Sequence, residues 1–258
     1  MRPRTAITVL GVAAVVLLAP SVAGAQDPAP TPTPSDPPPA EPRFEVAGPS
    51  RADGSTVARI AAPTFARATL KSAKRGRRVS TATSWSGQPQ VLLVLDSATV
   101  DGQDWVKLLL ANRPNGSAGW VTRDRVVLSR TRYWVTVRVR SRRITVYKNG
   151  KRARSFRAVV GAPGTPTPLG LAAILERNRQ PDPRAFLGPW ALSLTALSNV
   201  LESFGGGPGR VAIHGRAGAS LQDPLGSARS HGCVRVNNDD INWMARHVPA
   251  GTPVRIKR

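Results

Sequence analysis

The chain has 258 residues, with 37 Lys+Arg against 15 Asp+Glu, a formal net charge of +22, three histidines and a single cysteine. One cysteine excludes an internal disulfide framework. The charge makes nucleic acid the reflex partner, but the first residues direct the chain to where that is rarely met, so anionic envelope polymers and lipid headgroups are the expected polyanions, and no nucleic acid.

Arg2 and Arg4 precede an apolar run over residues 6–19, and Ala23-Gly24-Ala25 ends it with small residues. This is the pattern of a secretory signal peptide, residues 1–25, cut after Ala25. The run is shorter than the roughly 20 residues that span a bilayer, and Pro20 closes it, which argues against a retained anchor. No later stretch is apolar enough to span, so the mature chain is expected to be exported to the cell wall, periplasm or extracellular space. Residues 26–43 follow as a linker. Eight of the 24 prolines fall here without apolar periodicity, which predicts an extended, semi-rigid spacer.

Residues 44–131 read as a small β module. The runs "QVLLVLD", "DWVKLLL" and "GWVTRDRVVL" are β-rich and separated by turn residues, "ANRPNGSA" among them. The strand–turn–"GWV" arrangement over residues 91–128 resembles the bacterial Src-homology-3 (SH3)-like barrels of envelope enzymes. That resemblance implies a wall-binding module; a plain spacer is the alternative.

A second domain is predicted over residues 132–258. "YWVTVRV" and the run after it join through Asn149-Gly150, a strong signal for a tight hairpin. "GAPGTPTPLG" is a stiff loop. Residues 171–209 show little pattern and are rich in glycine and proline near "GPW" and "GGGPG"; they are expected to form a mobile flap. "RVAIH" and "CVRV" read as short strands. Residues 239–248 predict a helix, with Ile241, Met244, Ala245 and Val248 on one stripe, and "GTPVRI" is expected to close the sheet. The fold class is therefore mainly β, with one C-terminal helix.

The single cysteine, Cys233, sits in "SHGCVRVNN", a polar glycine turn that is a poor place to bury a small apolar side chain. An exported free thiol is an oxidation liability and asks for a reason. A thiol becomes a strong nucleophile as thiolate, and a nearby imidazole can take its proton and later protonate a leaving group. Gly232 lets backbone amides approach a developing oxyanion. Proximity in sequence favours His231 as the base. His214, at the end of "RVAIH", would instead face the thiol if its strand lies beside "CVRV".

These residues match a family. "IHG" at 213–215, the interval of sixteen residues from His214 to Ser230, and "SHGCVRV" resemble the L,D-transpeptidase catalytic domain of bacterial cell walls. "GTPTPLG" is similar to that family's Thr-Pro loop, with Pro168 as a departure. The resemblance implies Cys233 as nucleophile and His214 as proton acceptor and donor. It further implies that Gly215 orients His214 through its carbonyl, that Ser230, His231 and Gly232 shape the oxyanion side, and that Arg235 contacts substrate. The implied substrates are peptidoglycan stem peptides, joined by release of a terminal D-alanine and transfer of the acyl group to a neighbouring amine. Neither metal nor organic cofactor is implied. Water as acceptor would give a carboxypeptidase; a catalytically inactive wall-binding protein is the non-enzyme alternative. A zinc site built from His214, His231, Cys233 and His247 is disfavoured, because the spacing is incomplete and His247 suits a helix C-terminus.

Overall fold

The computed structural model describes residues 44–203 and 206–258. The expected signal peptide and linker, residues 1–43, lie outside the described residues. Among the described residues no helix is long and apolar enough to cross a membrane.

The first sheet is antiparallel and has the order β6-β5-β4-β1-β7. It is built from β1 (Ser55–Ile60), β4 (Val91–Val100), β5 (Gln103–Leu109), β6 (Ala118–Thr122) and β7 (Val126–Thr131), with β2 (Thr64–Ala66) and β3 (Arg77–Val79) paired beside it. The run "GWVTRDRVVL" is thus two strands, β6 and β7, separated by a 3-10 turn over Arg123–Arg125. Both faces of this sheet are covered, so its apolar residues divide by strand parity. Ala58, Ile60, Leu92, Val94, Val106 and Leu108 fill one core. Val57, Leu93 and Leu109 face the other way and pack on Ala173 of the second sheet.

The second sheet has eight strands in the order β10-β9-β8-β17-β12-β13-β14-β16. They are β8 (Tyr133–Arg138), β9 (Arg143–Lys148), β10 (Lys151–Arg157), β12 (Gly170–Arg179), β13 (Trp190–Leu197), β14 (Arg210–His214), β16 (Val234–Arg235) and β17 (Pro253–Lys257). The short strands β11 (Val160–Gly161) and β15 (Ala228–Ser230) form a separate parallel pair. Asn149 and Gly150 make the β9–β10 turn with φ of 52° and 73°, as a primed hairpin turn demands. The helix α1 spans Asn238–His247, and its stripe Ile241, Met244, Ala245 seals one sheet face together with Val248.

Two expectations are corrected. Residues 171–209 are not a single flap: residues 171–179 and 190–197 belong to the central strands β12 and β13, with Ala173, Ile174, Leu192 and Leu194 fully buried. Burial on both faces removed the alternation that would have marked them as strands. Nor does "GTPVRI" close the sheet. Its last four residues enter β17, an interior strand that runs parallel to β8 and antiparallel to β12.

The sheets interlock. Gly251, in the turn before β17, has φ of 81°, and a Cβ there would lie 2.7 Å from a Val57 methyl carbon. Beside it the hydroxyls of Thr131 and Thr252 are 3.2 Å apart in a buried hydrogen bond.

Candidate active site

Strand parity places the chemistry. β14 and β16 run parallel, with Ile213 opposite Val234 and His214 opposite Arg235. Because side chains alternate along a strand, Val211, Ile213, Val234 and Val236 enter the core beneath α1. Ala212, His214, Cys233 and Arg235 take the opposite face. The register continues outward, pairing Ser193 with Ala212 and Glu176 with Ser193. A register shift between Ile174 and Glu176 resets the parity of β12, so that Leu175 enters the core of the first sheet while Glu176 and Asn178 join the face that carries Cys233.

The turn before Cys233 is fastened by hydroxyls. Gly232 has φ of 114°, a conformation that side-chain-bearing residues rarely adopt. Ser230 Oγ accepts from the Gly232 N–H at 3.2 Å and donates to the Cys233 carbonyl at 2.5 Å. The loop before β12 grips the same turn. Thr165 Oγ1 donates to the Ser230 carbonyl at 3.1 Å, and Thr167 Oγ1 accepts from the Gly161 N–H and donates to the Gly232 carbonyl at 3.0 Å. Pro168 follows this clamp and interrupts none of its bonds.

Cys233, His214, His231 and Arg235 line one small cavity of about 30 Å³, together with Phe186. His214 is 1% exposed. Its Nδ1 is 2.7 Å from the Gly215 carbonyl, which can only accept, so Nδ1 carries the proton and Nε2 is the basic atom. Burial pushes His214 down to about 4; the Gly215 hydrogen bond opposes this and the Arg235 charge adds to it. Burial also pushes the Cys233 thiol up, against the pull of a hydrogen bond at the Ala212 backbone and of the Arg235 charge. Near neutral pH the two groups rest uncharged, as thiol and imidazole. His231 is exposed at the mouth of the same cavity, and Ser230 is buried behind the turn.

Arg235 is 3% exposed, paired with Asp223, and lies 4.8 Å over the Phe186 ring. The sequence reading missed both partners. A signal for Asp223 existed, since it is the only acid between His214 and Arg235 and a buried guanidinium needs an anion. Phe186 had none, because it comes from a loop remote in sequence. His247 stands apart, on α1 at the other face of the sheet, with its ring stacked on Trp243 at 4.7 Å. Among the described residues no three of His, Cys, Asp and Glu gather as metal ligands.

Residues 132–256 match the YkuD family, the L,D-transpeptidase catalytic domain. A Bacillus licheniformis protein that bears the provisional name L,D-transpeptidase YkuD is 28% identical over 169 residues, 63% of this chain and 92% of its own. A Bacillus subtilis protein of the same provisional name is 28% identical over 170 residues, 64% of this chain and 93% of its own. Among solved structures, the L,D-transpeptidase from Mycobacterium smegmatis is similar at 17% identity, covering 84% of this chain and all 100% of that one, with a TM-score of 0.40.

Proposed function

We propose, from the match of residues 132–256 to the L,D-transpeptidase catalytic domain, that the chain is an exported enzyme that cross-links peptidoglycan through a thioester at Cys233. The observation that carries this reading is the shared face of β14 and β16, where Cys233 and His214 line one cavity. Export rests on residues 1–25, and the division into a module at 44–131 and a catalytic domain at 132–258 belongs to the same proposal. An SH3-like, wall-binding role for the first module is part of it too.

The chemistry follows from a neutral pair. His214 Nε2 takes the thiol proton as Cys233 Sγ attacks the carbonyl before a terminal D-alanine, which avoids holding a thiolate in a buried site beforehand. The imidazolium then protonates the departing amine of D-alanine, leaving a thioester. An amine of a neighbouring stem attacks that carbonyl, a new C–N bond forms as the C–S bond breaks, and the amine's proton returns to sulfur through His214. The Gly215 carbonyl holds the tautomer throughout. Ser230, His231 and Gly232 shape the oxyanion side by fixing the turn, and Arg235 contacts the substrate while held by Asp223.

Mass spectrometry of the intact protein incubated with a disaccharide-tetrapeptide tests the reading. The expected result is an acyl adduct on the wild type and none on Cys233→Ala. An adduct that persists in Cys233→Ala overturns it. Conversion to disaccharide-tripeptide and free D-alanine with no cross-linked product would identify water as the acceptor and the enzyme as a carboxypeptidase.

A further inference from the structure

A second cleft of about 200 Å³ also reaches Cys233, sharing Leu187 and Arg210 with the His214 cavity, and it has no role in the reading above. Its floor is the polar file of the sheet: Glu176 and Asn178 on β12, Ser193 on β13, and Cys233 at the far end. Its wall comes from the first sheet's loop between β3 and β4. Trp85 lines the cleft while 70% exposed, an unusual placement for the largest side chain.

That loop is tied to the floor. Ser86 donates to Glu176 Oε2 through its backbone N–H at 3.3 Å and its hydroxyl at 2.6 Å, and Gln88 Nε2 donates to the Arg177 carbonyl at 2.9 Å. The backbone that carries Trp85 is therefore held over the second sheet. Arg210 also borders the cleft, but its guanidinium donates to the Leu194 and Ala111 carbonyls.

One atom here lacks a partner. Asn178 is 7% exposed, its Nδ2 donates to Ser193 Oγ at 3.3 Å, and its buried Oδ1 accepts from nothing in the protein. An unpaired buried acceptor costs stability and calls for an explanation. Glu176, 2% exposed, keeps further acceptor capacity beyond its bonds to Ser86. Acceptors on the floor and an aromatic wall suit a ligand rich in N–H donors with an apolar side, such as a peptide.

The distances fit a particular length. Glu176 and Cys233 are separated by three strand spacings, about 14 Å at ~4.8 Å each. An extended peptide covers that in about four residues. We propose that this cleft binds the acceptor: an amine-bearing peptide arm lies across the strands with its amine at Cys233 and its amide N–H groups on Asn178 Oδ1 and Glu176, under Trp85. The first module thereby supplies part of the substrate site. This rests on the transpeptidase reading and adds to it a device that measures acceptor length.

The test uses the full chain acylated by a disaccharide-tetrapeptide, with two acceptors: Nα-acetyl-lysine amide, and an N-acetylated, C-amidated Ala-Lys-Ala tripeptide. The wild type should favour the tripeptide at least tenfold in transfer relative to hydrolysis. Trp85→Ala and Glu176→Gln should bring the tripeptide down to the level of the short acceptor, leaving the acylation rate and the short acceptor within about twofold. No length preference in the wild type, or a preference unchanged in both variants, overturns the proposal. A second readout needs no acylation: in Cys233→Ala the tripeptide should quench tryptophan fluorescence saturably, and the quenching should vanish when Trp85→Phe is added. Saturable quenching without any acylation of the wild type would overturn the transpeptidase reading and support the peptide cleft, whereas acylation without quenching overturns the cleft alone.

Discussion

His214 and Arg235 stand opposite each other across the β14–β16 pair, on the face that also carries Cys233. Burial keeps protons off the imidazole and raises the thiol; the Arg235 charge adds to the first effect and opposes the second. Asp223 holds that guanidinium in place.

This geometry separates the two histidines near Cys233. His214→Ala should lower acylation by roughly 10²- to 10⁴-fold, the usual worth of a positioned acid–base group. His231→Ala should shift the pH profile of thiol alkylation less than His214→Ala does. The wild-type thiol should alkylate slowly at neutral pH, because burial raises it. If only His231→Ala moves the profile, the roles are reversed. The same nucleophile should open β-lactam rings, and the family resemblance points to carbapenems; an adduct of the ring-opened drug on the wild type, absent in Cys233→Ala, checks it.

Stability should carry the signature of His214. Unfolded, the group titrates near 6.5, and folded at about 4. Between those values the unfolded chain binds a proton that the folded chain does not, so its contribution is complete above about pH 6.5 and is lost as pH falls toward 4. The size is about 3 kcal/mol at most. Denaturant melts of wild type and His214→Asn over this window should show a steeper pH dependence in the wild type. Equal slopes would refute the assignment.

Thr167→Val keeps the volume and removes the hydroxyl that joins the Gly161 N–H to the Gly232 carbonyl. Leaving both backbone groups unpaired should cost about 1–3 kcal/mol. Acylation should fall further than the melt implies, because the turn that seats Cys233 loosens. Comparing urea midpoints with single-turnover rates tests this; unchanged values in both would show that the Thr-Pro loop does not hold the turn.

Much of this was legible beforehand. The helix stripe, the Asn149-Gly150 turn and the strands around His214 and Cys233 carry local patterns that survive any tertiary context, and all appear in the structure. β12 and β13 carry no strand signal because covered strands lose their alternation, and the glycines and prolines nearby favour a loop reading. The partners of Arg235 and the role of Glu176 depend on strand register and on a bulge, which a single sequence does not encode at any fixed spacing. Cys233 and His214 could be singled out; their protonation states could not, since those follow from burial.

Gly251→Ala should couple the two sheets visibly. A methyl at φ of 81° is strained and would meet Val57 of β1. A loss of about 1–3 kcal/mol is expected from strain and overpacking. Near-ultraviolet signals from Trp105 and Trp120 in the first sheet and Trp134 and Trp190 in the second should then fall in one shifted transition. Two separate transitions in the wild type would show that the sheets fold independently.

Cys233 precedes a strand only two residues long at the end of the eight-stranded sheet, held by a threonine clamp and a single bridge to Val159 rather than by a long ladder. Such an edge can detach at a small fraction of the free energy that opens the core. Heating should therefore inactivate the enzyme reversibly, by fraying, several degrees before the fold melts. Bound substrate would act as a splint for that edge, so thermal tolerance of activity becomes a property of the acylated state more than of the resting protein.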